Sequence, residues 1–404
     1  SGALTSVPSN SLPPGLSIII LNTNPLTNFS DDAFDTSTGT LRELYITSEH
    51  LPAALMKLTS LTDLTITRSK VQNWDTAILK HIAATVESFE LSSMSLSSWP
   101  SWLSYFHLLR KLDLNNNPIH TIPDDAFSAV NNSLTDLRLS RTGLTGVPTA
   151  LSTLSSLSSL DLSYNNLKDV SEIQKITGFP FSQHLSYLSL DSVGLTRMAN
   201  LSNLTSLKGI YLSDNMITDI PAGLLPISIT SLRLYNNSLS SVPTVIANLS
   251  MLSELELTNN VITHIEPNSF PSSMTRLELG RNKLTIITNS TFRNLNLLSY
   301  LDVSYNPIST ISPEAFSDLE SLEQIYIIYS QLIEIPLAFA MLNYQIDVYF
   351  STTRPLACPC PVSHKLVLWF TSLENSQNIQ AICSNGQSID SYLGGHCYHS
   401  LTDP

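Results

Sequence analysis

The sequence predicts an α/β repeat solenoid in which short parallel strands stack into one sheet. Three observations predict it. One apolar motif recurs along almost all of the 404 residues, a second motif recurs in the segments between its copies, and all four cysteines fall in the last eighth of the chain.

The first motif is L-x-x-L-x-L-x-x-N-x-L. It stands clearly in "LRKLDLNNNPI" from Leu109, "LSSLDLSYNNL" from Leu157, "LKGIYLSDNMI" from Leu207, "LSELELTNNVI" from Leu252, "MTRLELGRNKL" from Met274 and "LSYLDVSYNPI" from Leu298. Weaker copies begin at Leu16, Leu41, Leu61, Val86, Leu134, Leu185, Ile229 and Leu322, giving fourteen copies with starts 20 to 28 residues apart. "YQIDVYF" (Tyr344–Phe350) adds a degenerate fifteenth strand. Alternating apolar residues in x-L-x-L-x make a strand with one buried face. A single strand cannot shield its leucines, so the copies must stack and share a core.

The asparagine falls where the chain leaves the strand. Its amide both donates and accepts, so a column of such side chains can satisfy the backbone of successive turns. Six copies replace it, with Glu49, Ser69, Met94, Thr142, Val193 and Ser330. Met94 and Val193 have no group for that task, which predicts a rearranged ladder there, chiefly in the first four copies. The return segments repeat as well. "IHTIPDDAF", "ITHIEPNSF" and "ISTISPEAF" end at Phe127, Phe270 and Phe316, and Phe34, Phe292 and Phe339 take equivalent places, which predicts a phenylalanine column in the core. The longest gap, between Leu157 and Leu185, predicts a short amphipathic helix around Val170–Ile176 and then a Gly-Phe-Pro-Phe turn. That stretch reads first as a bulkier outer wall, with a projecting contact through Phe179 and Phe181 as the sharper reading.

In these motifs the sequence resembles the extracellular leucine-rich repeat proteins, specifically the typical class with its I-P-x-x-x-F return segment. The resemblance covers nearly the whole chain. It implies a curved horseshoe with a parallel sheet on the concave side, loops or short 3₁₀ turns on the convex side, and a small disulfide-bonded C-terminal cap. The expected divisions are residues 1–15 as the second half of a repeat, 16–350 as the repeat array and 351–404 as the cap. "LTSVPSNSL" (Leu4–Leu12) matches the second half of a copy, as in "LTGVPTAL", and no N-terminal cysteine cap precedes it, so the chain is expected to be the C-terminal part of something longer.

Cys358, Cys360, Cys383 and Cys397 could bind zinc with His364, His396 and His399 nearby, but Cys-Pro-Cys is tighter than usual ligand spacing. A disulfide staple is the stronger reading. "RPLACPC" stands where the family's cap has N-P-F-x-C-x-C, with the asparagine and phenylalanine altered. Family precedent pairs Cys358 with Cys383 and Cys360 with Cys397, although four cysteines allow three pairings and sequence alone does not choose. Trp369 and Leu366 are expected to close the core.

Paired cysteines imply an oxidising compartment. N-x-S/T acceptors stand at Asn28, Asn131, Asn200, Asn203, Asn236, Asn248 and Asn289, although "NLT" and "NLS" also arise from the repeat itself. The expectation is an extracellular protein, secreted or the ectodomain of a membrane protein, with N-linked glycans and no other cofactor. Asn236 sits beside the ladder residue Asn237, where a glycan would obstruct part of the strand face. That position predicts non-use, or a ligand confined elsewhere.

The formal net charge of −13 argues against nucleic acid or anionic lipid as partner. No apolar run approaches the roughly 18 residues of a membrane span, so this segment is not expected to insert in a membrane. No catalytic or phosphate-binding motif is present, and the expectation is a non-enzyme with no metal site.

Function is expected on the strand face. The residue between the two strand leucines faces solvent. Down the stack these are Ile20, Tyr45, Thr65, Glu90, Asp113, Arg138, Asp161, Ser189, Tyr211, Arg233, Glu256, Glu278, Asp302, Tyr326 and Asp347. The column is mainly acidic. Tyr300, Tyr305, Tyr326, Tyr329 and Tyr349 should lie close together, with Tyr187, Tyr211 and Tyr235 as a smaller group. Exposed tyrosines are candidate hot spots, though strands also tolerate tyrosine through β-propensity. Two functions follow: recognition of an extracellular protein or glycoconjugate as a receptor or adhesion ectodomain, or self-association in a structural extracellular glycoprotein of a matrix, sheath or filament.

Overall fold

The computed structural model describes residues 4–69, 71, 73–373 and 378–395. Sixteen short strands form one long parallel sheet in chain order, interrupted only by two small side pairs. The chain divides into two compact units, Ser1–Leu195 with Asn203–Leu207, and Thr196–Ser202 with Lys208–Pro404.

The first unit contributes Ile18–Ile20, Glu43–Ile46, Asp63–Ile66, Ser88–Glu90, Lys111–Asp113, Asp136–Arg138, Ser159–Asp161 and Tyr187–Ser189. The second contributes Gly209–Tyr211, Ser231–Arg233, Glu254–Glu256, Arg276–Glu278, Tyr300–Asp302, Gln324–Ser330, Asp347–Thr352 and Ile379–Gln380. Within each unit the central leucines pair in register, as in Leu112↔Leu137↔Leu160 and Leu232↔Leu255↔Leu277↔Leu301. All of these are buried. The sixteenth strand, Ile379–Gln380, was not expected. It pairs with the preceding strand through Phe350↔Ile379 and so supplies main-chain partners to an edge that would otherwise be open.

The asparagine ladder forms as the donor–acceptor argument requires. Asn282 donates to the carbonyls of Leu257 (2.9 Å) and Leu279 (3.0 Å) and accepts from the Ile262 N–H (3.0 Å), tying two successive copies together. Asn306, Asn260 and Asn237 do the same in this unit, and Asn117 and Asn165 in the first.

The substituted positions solve the same problem locally. Thr142 turns its hydroxyl to the Leu139 carbonyl (2.7 Å). Ser69 accepts from the Ser48 N–H, and the buried Ser48 hydroxyl reaches the His50 carbonyl beside Glu49. Met94 buries its side chain and leaves its N–H to Asn117. At Val193 the backbone carbonyl, not a side chain, accepts the Leu167 N–H (3.1 Å).

Phe292, Phe316 and Phe339 stack in sequence at 6.4 and 6.3 Å, and Phe34, Phe127 and Phe270 are buried in their own copies. The long insertion starts with a helix over Val170–Gln174, capped by Asp169, and continues in two 3₁₀ turns. Phe181 does not project from it. The ring is fully buried, with Phe179 packed against it at 5.7 Å, because the insertion needs a large apolar group to fill its wider wall.

At the C-terminal end the helix His364–Ser372 buries Leu366 and Trp369, and the indole lies 5.4 Å from Phe339. Cys358 and Cys383 form a disulfide, which fits a cap. Cys360 is also disulfide-bonded, and Cys397 lies outside the described residues. His396 and His399 lie outside them as well, and among the described residues no group of three or more His, Cys, Asp or Glu is placed to hold a metal ion.

Asn282→Ala should remove an acceptor and a donor from a buried site and lower unfolding stability by about 1–3 kcal/mol, measured by urea denaturation. Asn289→Ala, at an exposed position, should change it by less than about 0.5 kcal/mol.

Candidate recognition surface

Because side chains alternate across a strand, one face of each strand delivers leucine to the core and the other delivers its variable residues to solvent. In the second unit the strand pairing sets Tyr211, Arg233, Glu256, Glu278, Asp302 and Tyr326 in one row. The row ends on Tyr349 and not on Asp347 as the sequence suggested, since Asp347 pairs with Gln324. Both residues lie on the same face two positions apart, and the alternation alone cannot tell which of them is level with Tyr326.

That register brings the tyrosines together in two ladders. In the first, Tyr300 lies 5.2 Å from Tyr326, and Tyr326 stacks on Tyr349 at 4.3 Å with ring planes 2° apart. In the second, Tyr305 stacks on Tyr329 at 4.9 Å. An arginine from the preceding copy stands at the head of each. The Arg276 guanidinium lies 3.6 Å above the Tyr300 ring and that of Arg281 4.4 Å above Tyr305. Arg276 is held from its other side by Glu278 at 2.8 Å. Burial raises the Tyr326 phenol to about 12, with Tyr349 and Tyr300 adding to the shift, so the phenol stays neutral at physiological pH.

The second ladder sits at the turn after the strand for Arg281 and Tyr305, and at the irregularity between Ile327 and Ser330 of the strand Gln324–Ser330 for Tyr329. Arg281, Tyr305 and Tyr329 all have left-handed backbone, with φ of 54°, 57° and 60°, as do Asp214, Asn236 and Asn259 in the same position of earlier copies. The turn uses this conformation to aim its N–H at the next copy, as Tyr305 does toward the Ile328 carbonyl (2.7 Å). Asparagine adopts it at little cost, whereas for a bulky side chain it costs about 1 kcal/mol. At Asn236 the amide donates to Asp214 (2.7 Å) and accepts from Asn259 (2.6 Å). All seven acceptor asparagines, Asn28, Asn131, Asn200, Asn203, Asn236, Asn248 and Asn289, are at exposed positions.

The group Tyr187, Tyr211 and Tyr235 is arranged differently. Tyr187 belongs to the first unit, half exposed on its strand. In the second unit no ring contact joins Tyr211 to Tyr235 among the described residues, and Arg233 covers Tyr211 at 4.5 Å instead. Sequence reading placed Arg233 in the column but missed Arg276, Arg281 and the stacking of arginine on tyrosine. It also missed Tyr164, which carries Arg141 at 4.1 Å in the first unit. The signal was present: "SYN" holds Tyr164 and Tyr305 at the same turn position, and Arg141 and Arg281 stand at that position one copy earlier.

The first unit's face is acidic. Glu90, Asp113, Arg138 and Asp161 share a row. Burial raises the Asp113 carboxyl to about 6 and Glu90 adds to the rise, against a hydrogen bond from the Asn115 N–H and an arginine 3.8 Å away.

The Leucine rich repeat family model matches residues 107–167 and 272–332. Among curated proteins no sequence match is found. Solved structures match over most of the chain. One is from the Drosophila Toll–Spätzle complex in its glycosylated form, at 22% identity and TM-score 0.62, covering 82% of this chain and 48% of that one. Another is a Leptospira interrogans leucine-rich-repeat protein, at 22% identity and TM-score 0.62, covering 89% and 93%. A third is TLR13 in complex with ssRNA13, at 19% identity and TM-score 0.57, covering 94% and 62%. The chain therefore spans about half the length of the Toll-complex chain. Repeat motif, parallel sheet and these matches show the leucine-rich-repeat solenoid fold. The same solenoid fold is found in receptor ectodomains, and this chain carries a disulfide in its C-terminal segment.

The Asp113 carboxyl holds its proton more tightly in the folded chain than in the unfolded one. Stability from this group is therefore greatest below about pH 4 and declines as pH rises toward 6. Asp113→Asn should flatten that part of a urea-denaturation pH profile and raise stability at pH 7, by at most about 3 kcal/mol at 1.36 kcal/mol per pKa unit.

Proposed function

We propose that the chain is a non-catalytic recognition module that binds an extracellular protein or glycoconjugate through the strand face of its second unit. In this reading it works outside the cell as a secreted protein or as the ectodomain of a receptor or adhesion protein, with N-linked glycans on exposed acceptor asparagines other than Asn236, where a glycan would obstruct the strand face. The observation that carries it is the pair of tyrosine ladders on the solvent side of the sheet.

Tyr305 and Tyr329 are 44% and 54% exposed, so core packing does not account for them. Their left-handed backbone disfavours a large side chain, and a turn of this kind is better served by asparagine. Strain kept at an exposed aromatic site supports a role in binding. Rings held by their neighbours lose little freedom when a partner arrives, which raises the net gain from each contact. The disulfide supports an oxidising compartment. Among the described residues no helix is long and apolar enough to cross a membrane. The Toll–Spätzle structure is of a complex, which supports the use of this fold for recognition.

The test is an array of extracellular proteins and glycans probed with the purified chain. Wild type should bind at least one member. Tyr326→Ala/Tyr329→Ala should weaken that binding by about tenfold or more, while Tyr305→Asn keeps unfolding stability within about 1 kcal/mol of wild type. Binding untouched by the alanine pair would defeat this reading. A chain that instead self-associates with rising concentration in light scattering, through these same tyrosines, would replace it with a structural, self-assembling role.

A further inference from the structure

Resting on that reading, we infer that the partner presents a cationic segment to the tyrosine ladders, with arginine favoured over lysine. The protein's own side chains show what the rings accept. Three tyrosines of the second unit, Tyr211, Tyr300 and Tyr305, each hold a guanidinium on the ring face at 3.6 to 4.5 Å. Each ladder begins with such an arginine and runs on through further tyrosines, Tyr326 and Tyr349 in one and Tyr329 in the other. Within each ladder the inner ring faces are taken by the arginine or the next ring, so the outer faces of the last rings, Tyr349 and Tyr329, are where a partner's guanidinium meets the chemistry that the internal arginines use.

The charges around the ladders point the same way. Beside Arg276 lies a cleft of about 190 Å³ lined by Arg233, Glu254, Glu256 and Glu278. Its two arginines already lie over Tyr211 and Tyr300, and its carboxylates outnumber them. Asp302, Tyr326's neighbour in the row, and Asp347, level with Gln324, add two more carboxylates to the face. The Tyr326 phenol between them stays neutral, so it offers a hydroxyl acceptor without adding charge. A cation gains from both features at once. A phosphate backbone would be repelled by the carboxylates. Arginine is favoured because its planar, weakly hydrated group stacks on an aromatic face, whereas an ammonium keeps its water.

The experiment uses the full chain and fluorescein-labelled hexa-arginine, hexalysine and hexaglutamate, read by fluorescence anisotropy. Hexa-arginine should bind more tightly than hexalysine, and hexaglutamate should not bind. Tyr326→Ala/Tyr349→Ala should weaken hexa-arginine binding by about tenfold. Tyr326→Phe/Tyr349→Phe, which keeps the ring faces, should stay within about threefold of wild type. Glu254→Gln/Glu256→Gln should weaken it and reduce its salt dependence.

Equal binding of the two cationic peptides, or binding that ignores the alanine pair, would overturn the inference. If the alanine pair also failed to fold, the phenylalanine and glutamine variants would still decide it, since loss with phenylalanine or no loss with glutamine contradicts it. If wild type ignores hexa-arginine yet loses an array partner when Tyr326 and Tyr329 become alanine, the cationic class falls and recognition by the tyrosine face stands. If neither binding depends on the tyrosines, both fall.

Discussion

Each copy of the repeat has leucines that it cannot bury alone and turn carbonyls and N–H groups that it cannot satisfy alone. The ladder asparagine answers the second need while the stack answers the first. Asn282 is the clearest case: one amide bonds the Leu257 carbonyl of the copy before, the Leu279 carbonyl of its own copy and the Ile262 N–H. A copy displaced by one residue would both expose its leucines and strand these groups. The ladder therefore sets the strand register, and every statement about the solvent face depends on that register.

Once the core face is fixed, the other face is free to vary, because a strand's alternate positions are structurally independent of the leucines. The two units use that freedom differently. The face of the first is acidic, and a carboxyl such as Asp113 is carried there at a cost to its own ionisation. The second gathers aromatic rings, with arginines drawn onto them. Neither arrangement helps to bury a leucine.

Much of this was legible in the sequence, and the exceptions share a cause. The period-two alternation identified strands and core, and the asparagine and phenylalanine positions followed from the repeat. Period and spacing do not, however, say which of two residues on one face is level with a given neighbour. That is why Tyr349, and not Asp347, completes the row with Tyr326. The strand Ile379–Gln380 has too few residues to show alternation. Phe181 followed a turn signal that reads as a loop, and only the volume of the wall beneath it decided that the ring goes inside. The Arg–Tyr stacks join different copies, so they appear only when the copies are laid over one another.

The turn after the strand shows how scaffold and surface become separable. Its left-handed residue is required for the N–H to reach the next copy, and Asp214, Asn236 and Asn259 meet that requirement with side chains suited to it. Arg281, Tyr305 and Tyr329 meet it with side chains that are not. Arg281 and Tyr305 still donate to the Ser304 and Ile328 carbonyls of the next copy, and Tyr329 donates to the Ser351 hydroxyl, so the N–H is satisfied in both cases and the difference lies in what the turn presents to solvent. The turn tolerates that backbone cost because the ladder asparagine beside it over-determines the conformation: Asn306 follows Tyr305 directly and bonds the Val303, Ser304 and Leu279 carbonyls. A rigid ladder thus lets a poorly suited residue stand at the rim, and the stack of copies sets such residues at ring-stacking distance from one another.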